Sequence, residues 1–297
     1  MSAADLRRWW FPAGAGAVAE RALVWVEGPD AASFLQGLLS NDVFALGDGD
    51  ACRALLLDAK GRIGAAMAVH RDGPRAFTLV CEPHLGERLM GILERYHFSE
   101  DLELLGPEPA TVLVIGTEGA LPDAPELVVS GLIPGTREVA VDDPQRAADA
   151  LGLWLLDEAT LERARIAAGA PRVGVDTAER TLVQEAGLEE RAVSFTKGCY
   201  LGQETVARAQ YRGRVNRVLR IVEFDGPAPT APVALHRDER EVGTLTSCVA
   251  LPGGGALGLA ILRREAEPGE AVRTADGAHG QVEEIEPFAV LGPPDEG

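Results

Sequence analysis

The sequence predicts an α+β body followed by a C-terminal all-β domain, a small antiparallel β-barrel or sandwich. Three observations carry that reading. Up to about residue 213, strand-like runs alternate with helix-period segments. After about Arg214 the texture changes. Short apolar runs recur between Gly, Pro and charged turns, at Val218–Phe224, Glu241–Val249, Ala256–Leu262 and Gln281–Ile285. Finally, 297 residues with 46% hydrophobic and 25% charged side chains can bury a real core, enough for about two domains.

Each element has a local reason. Ala22 to Val26 alternates like a strand, and Gly28-Pro29-Asp30 stops it and starts a helix with Asp30 as N-cap. Phe34, Leu35, Leu38 and Leu39 form the apolar face of that helix, which ends near Ser40 and Asn41. Ala51–Leu57 and Ile63–His70 read as strands joined by the hairpin turn Asp58-Ala59-Lys60-Gly61. Ala76–Cys81 is another strand. Pro83–Phe98 is a helix with Leu85, Leu89, Ile92, Leu93 and Tyr96 on one side. Thr111–Ile115 is a buried strand by its β-branched content. Asp143–Leu151 and Asp157–Ala168 are helices, the second closed by Gly169 and Pro171. Gly253-Gly254-Gly255 lacks a following Lys and opens no helix, so it reads as a hairpin turn and not a phosphate loop.

Composition excludes some functions. With 28 Lys+Arg against 46 Asp+Glu the formal charge is −18, which repels the phosphates of nucleic acid and anionic membranes over most of the surface. No apolar run is long enough for a membrane helix. The N-terminal stretch MSAADLRRWWFPAGAGAVAERAL is broken by Pro12, Gly14 and Gly16 and reads as mature sequence, not a signal peptide. The four cysteines, Cys52, Cys81, Cys199 and Cys248, form no CxxC pair, and the expected setting is reducing and cytoplasmic. Cys52, Cys81 and Cys248 lie in strand-like runs and read as small buried apolar residues.

The informative segment is VSFTKGCYLGQETVARAQYRGRVNR, Val193 to Arg217. Gly198 permits a sharp turn, and Tyr200–Ala209 reads as a helix with Cys199 at or near its N-terminus. Unpaired backbone N–H groups there, and Lys197 two residues away, would favour a thiolate. The other reading is a structural cysteine packed under the turn. Arg208, Arg212, Arg214, Arg217 and Arg220 follow with no acidic residue between Glu204 and Glu223. That stripe either holds an anion or is a solvated face paired with acidic neighbours.

KGCYLGQE, Lys197 to Glu204, resembles the signature of the YgfZ-type folate-binding proteins, relatives of the glycine cleavage T-protein, an aminomethyltransferase. The likeness extends to FLQGLLSND (Phe34–Asp42), LLLDAKGRI (Leu55–Ile63), RIAAGAPRVGVD (Arg165–Asp176), VARAQYRG (Val206–Gly213), VGTLTS (Val242–Ser247) and ALGLAILRRE (Ala256–Glu265), in the family's order. The resemblance implies a three-lobed arrangement around a central pocket for tetrahydrofolate or a derivative. The lobes would be residues 1–46 with 106–213, an inserted lobe at 47–105, and the barrel at 214–297. It implies a folate-binding accessory to the assembly or repair of iron–sulfur proteins, with transient iron–sulfur enzymes or assembly proteins as partners and an indirect effect on tRNA modification. The chain departs from the T-protein where that enzyme carries an acidic pair: Ala65 and Ala66 stand there, and alanine exchanges no proton. A further acidic position is taken by Ala167. The expectation is therefore folate binding without the glycine-cleavage reaction. One alternative is a one-carbon transfer enzyme acting on an unknown acceptor. Another is an interaction module that has lost the ligand.

The resemblance assigns roles to named residues. Cys199 is the functional thiol, tuned by Lys197. Tyr200, Gln203 and Glu204 line the pocket, or, for Gln203 and Glu204, merely cap and solvate a helix. Arg165, Arg208 and Arg212 are candidates for the glutamyl carboxylates of folate. Asn41 and Asp58 either hydrogen-bond the pterin or close turns.

Overall fold

A computed structural model gives the fold for residues 14–116, 121, 127–212 and 215–285. The N-terminal stretch read as mature sequence, residues 1–13, lies outside these described residues.

The body is one eight-stranded sheet. Its strands are β1 (Ala15–Glu27), β2 (Ala51–Leu57), β3 (Ile63–Gly73), β4 (Ala76–Cys81), β5 (Glu103–Gly116), β6 (Val128–Ser130), β7 (Thr136–Ala140) and β8 (Trp154–Leu156). The order is β2-β3-β4-β1-β5-β7-β6, and β8 adds to β1 in parallel. β1 and β5 are long enough to serve both halves. Gly16–Arg21 pairs the later part of β5, while Ala22–Glu27 pairs both β4 and the earlier part of β5. The strands of residues 47–105 therefore continue the same hydrogen-bonded sheet as β1 and β5.

The sequence foresaw only the later half of β1 and the end of β5. Small residues hid the start of β1. Gly106-Pro107 and Pro109 hid the start of β5, because proline donates no ladder hydrogen bond. A bulge between Leu23 and Trp25 of β1 faces that Gly-Pro step and lets the strand continue.

Among the described residues there are six helices: α1 (Ala31–Leu38), α2 (Gly86–Tyr96), α3 (Pro144–Ala150), α4 (Glu158–Ala167), α5 (Glu189–Ala192) and α6 (Gln203–Arg212). The predicted helix over Pro83–Phe98 divides into a 3-10 turn at Pro83–Leu85 and α2. Asp30 precedes α1 as predicted, but its side chain does not cap it. It accepts instead from the backbone N–H of Asp101 at 2.8 Å. The core of the body joins Val24, Val26, Leu35, Leu39, Leu55, Leu57, Met67, Phe77 and Leu89, all nearly inaccessible.

The C-terminal domain is a closed antiparallel barrel. Its strands are β9 (Arg217–Phe224), β10 (Val233–Arg237), β11 (Arg240–Ala250), β12 (Ala256–Arg263), β13 (Ala271–Thr274) and β14 (His279–Glu283), in the order β10-β11-β12-β9-β14-β13. Closure removes the sheet edges. Strand alternation splits the apolar residues into two sets. Val222, Phe224, Ala260 and Leu262 fill the barrel. Leu219, Ile221, Leu257 and Leu259 lie on its outside against Ile166 and Ala167 of α4. Ala167 is thus a contact between body and barrel.

Asp176 fastens that contact. Its Oδ2 accepts from Arg165 Nη1 and from the N–H of Arg172, both at 2.8 Å. Its Oδ1 accepts from Thr246 Oγ1 at 2.7 Å and Ser247 Oγ at 2.6 Å on β11. The segments Arg165–Asp176 and Val242–Ser247 are joined by one buried carboxylate.

Candidate functional site

Three segments far apart in sequence meet around Lys197. The Lys197 side chain is buried, and its Nζ donates to the carbonyls of Gln36 (2.8 Å), Leu39 (2.6 Å) and Asn41 (2.7 Å). The N–H of Leu201 reaches the carbonyl of Gly37 at 3.2 Å. Residues 197–201 therefore form the C-terminal cap of α1, where the last turn's carbonyls lack partners and the helix dipole favours a cation. Burial pushes the Lys197 ammonium down to about 8, opposed by the charges of Asp42 and Cys52, so it stays protonated at neutral pH. It also lies 5.2 Å from the ring centroid of Tyr200. Tyr200 itself is core, and burial pushes its phenol up to about 12.

The second meeting is backbone on backbone. Gly61 of the Asp58–Gly61 turn and Gly202 both hold positive φ, 73° and 83°. A Cβ on Gly202 would lie 2.5 Å from the carbonyl oxygen of Asp58, and one on Gly61 would lie 2.8 Å from Thr205 Cβ. We expect Gly202→Ala to cost about 2–3 kcal/mol from left-handed strain and overpacking. Gly37→Ala, with open space around it, should be neutral or slightly stabilising. Urea midpoints of the two variants test this; equal midpoints would refute the close approach.

This packing moves α6. Gly202 cannot be a right-handed helical residue at φ 83°, so the helix starts at Gln203 and not at Tyr200. Cys199 then sits four residues upstream, on an exposed non-helical stretch, and its thiol is free. The expected helix-terminus environment is absent, and Lys197 turns its amine into α1. Burial pushes the other thiols up, Cys52 and Cys248 to about 11 and Cys81 to about 12. Cys199 alone of the four is exposed.

Other expected ligand contacts are taken by the protein itself. Arg165 is buried and donates from Nε and Nη2 to Glu162 at 2.8 and 2.6 Å and from Nη1 to Asp176. Glu204 and Arg208 pair with each other at 2.6 Å on the solvent face of α6. Asp58 Oδ1 accepts from the N–H groups of Lys60 and Arg62, and closes its turn. Asn41 donates to the carbonyl of Arg53 at 2.8 Å and accepts from the N–H of Asp42. Gln203 opens α6, its N–H reaching the Tyr200 carbonyl at 3.2 Å. The side chain of Arg212, and Arg214 entirely, lie outside the described residues.

A recess in the body gathers charges that the sequence reading missed. It is narrow, with a volume of about 20 Å³, and is lined by Arg21, Arg53, Glu82, Glu138 and Arg191 among apolar residues that include Ala66. Arg21 grips Glu138 with two 2.7 Å hydrogen bonds. Burial would raise the Glu138 carboxyl, but the Arg21 guanidinium and the N–H of Leu132 outweigh it and hold the carboxyl below its ordinary value. Arg53 and Arg191 reach only backbone carbonyls, of Ser130 at 3.3 Å and of Leu132 at 2.8 Å. Burial lowers both, Arg191 to about 10 with help from the charge of Arg53. Burial raises Glu82, against the pull of Arg172 and Arg21. One signal was legible: Arg53 interrupts the strand run ACRALLL, and a charge inside an apolar strand asks for a buried partner.

Residues 216–286 match the family model described as the C-terminal beta-barrel domain of CAF17. The chain is 31% identical over 293 residues to a protein of Klebsiella pneumoniae (strain 342) named "tRNA-modifying protein YgfZ", covering 86% of this chain and 87% of that one. The chain belongs to the YgfZ family. A member from Pectobacterium atrosepticum, also named "tRNA-modifying protein YgfZ", is 29% identical over 296 residues, with coverage of 88% and 87%. The glycine cleavage system aminomethyltransferase T of Bartonella henselae superposes with a TM-score of 0.75 at 20% identity, covering 94% of this chain and 88% of that one. The family therefore shares the T-protein's fold. Among the described residues no helix is long and apolar enough to cross a membrane, and no three His, Cys, Asp or Glu side chains are grouped to hold a metal ion.

Proposed function

We propose that this protein binds tetrahydrofolate or a derivative at the opening of the recess between Arg53, Arg191 and Glu82. In that reading it acts as an accessory to the assembly or repair of iron–sulfur proteins, and through them affects tRNA modification. The observation that supports this most is the donor set. Two half-buried guanidiniums reach only backbone carbonyls, beside a carboxyl raised by burial. They suit a flat ring with a polar edge and an acidic tail. Arg53 and Arg191 would donate to carbonyl or carboxylate oxygens, and Glu82 would accept from an amino edge. Folate would supply a carrier for one-carbon groups. Ala66 presents only a methyl group to the recess, so that position exchanges no proton, which favours the accessory role over aminomethyl transfer.

Cys199 is the thiol through which this reading connects to a client. Iron–sulfur clusters usually take four protein thiolates, so one cysteine serves as a single exchanging ligand or a redox group. Calorimetry with tetrahydrofolate under anaerobic conditions should show saturable binding, weakened about tenfold or more by Arg191→Gln. Cys199→Ser should bind folate unchanged and yet fail to complement a deletion strain. No binding by the intact chain would refute the ligand, and full complementation by Cys199→Ser would remove the thiol. Robust methylenetetrahydrofolate production with a lipoyl carrier protein would establish the one-carbon transfer alternative instead.

A further inference from the structure

The mouth of the C-terminal barrel holds a second cavity, of about 290 Å³, lined by Gln184, Glu189, Gln210, Val218, Arg220 and Arg264 among others. It shares no lining residue with the recess. Its floor belongs to the barrel. Val218 and Arg220 share the face of β9 that carries Val222 and Phe224, and Ala260 and Leu262 of β12 pair with Arg220 and Val218. An arginine on the inner face of a barrel, half-buried, is a costly placement.

Three buried side-chain atoms with no hydrogen-bond partner belong to residues of this one cavity: Gln184 Oε1, Glu189 Oε2 and Arg220 Nε. Each such atom costs about 1–3 kcal/mol if nothing satisfies it. The set has a polarity. The amide of Gln184 is oriented by donation from Nε2 to the carbonyl of Val206 at 2.9 Å, which leaves its oxygen as a bare acceptor. Glu189 adds a second acceptor from α5. Opposite in chemistry, the barrel supplies the Nε–H donor of Arg220, whose Nη1 reaches only its neighbour's carbonyl at 3.5 Å, and Arg264 also lines the cavity.

We propose that this cavity binds a small zwitterion of the free α-amino-acid class, its carboxylate on Arg220 and its ammonium between Gln184 and Glu189. Barrel mouths are recurrent ligand sites. A simple anion would leave the two acceptors unmet, and a simple cation would face the two arginines. A zwitterion satisfies all three orphaned atoms at once.

Ligand-observed NMR on the intact chain tests this with each of the twenty amino acids, and with acetate and methylammonium as half-ligand probes. At least one amino acid should bind saturably and outcompete both half-ligands. Arg220→Gln and Glu189→Gln should each weaken it about tenfold or more. Circular dichroism and an unchanged tetrahydrofolate titration would show that the variants remain folded and the recess intact. Should the chain lack folate affinity altogether, the amino-acid result still stands alone, because the two cavities share no residue. Three results would overturn the proposal. One is no amino acid binding beyond acetate, with ordered waters filling the cavity in a crystal structure. Another is binding indifferent to both substitutions. The last is a parallel loss of folate binding, which would make the cavity part of the folate site.

Discussion

Replacing Lys197 with methionine is expected to lower the stability of the chain by about 3–5 kcal/mol, read as a shift of the urea midpoint at constant slope. The ammonium is the common donor for three carbonyls at the end of α1. Methionine fills similar volume but donates nothing, so three acceptors in a buried pocket lose their partner and the helix loses its C-terminal cation. Arginine should not rescue, because a planar guanidinium cannot occupy a pocket shaped for one nitrogen. The neighbourhood makes the loss spread. Ser40, next to Leu39, donates from Oγ to the carbonyl of Ala192 at 2.5 Å and accepts from the N–H of Leu55 at 2.8 Å, tying α1 to β2 and α5. A loss below about 1 kcal/mol would mean that the amine is not structural and would return Lys197 to the chemistry of Cys199.

The second large effect is at Asp176. Asp176→Ala is expected to cost about 3–5 kcal/mol, because it strands the buried Arg165 guanidinium and two hydroxyls together. Asp176→Asn should lose less, since the amide oxygen still accepts from Thr246 and Ser247. The double variant Arg165→Met, Asp176→Leu should recover part of the loss, because the buried guanidinium and carboxylate leave together and the partly exposed Glu162 can turn to water. The carboxylate bridges α4 and the barrel, so its removal should also loosen their contact. Hydrogen exchange across β11 should then rise before that in β12, and uniform protection across both strands would argue that the apolar contact with Ile166 and Ala167 suffices.

These two residues divide what was legible from what was not. Lys197 was visible as part of a signature, but the sequence suggested a charge placed for its neighbour Cys199. Its true partners are more than 150 positions away, and no local pattern encodes them. Asp176 closed a recognisable segment without any hint that it would accept hydroxyls from a β-strand 70 residues later. The start of α6 was misplaced for the same reason. Gly202 lies inside the segment read as a helix, and only the approach of the Asp58 turn requires its positive φ.

Several features were determined by the amino-acid sequence alone. Hydrophobic periodicity and turn chemistry are local, so α1, the β2–β3 hairpin, α4 and the change to an all-β texture near Arg214 were readable one window at a time. The acidic balance and the ordered family segments were equally open to reading, as was the alanine at position 66. Tertiary structure decided which charges face each other. Arg21, Arg53, Glu82, Glu138 and Arg191 stand on different strands, loops and helices and become a site only when the sheet and helices bring them to one recess. It also decided which candidate ligand groups are already spent, as Arg165 is on Glu162 and Asp176. Whether a side chain is available is a property of its hydrogen-bond partners. In a folded chain those partners are chosen by long-range packing, which no short stretch of sequence contains.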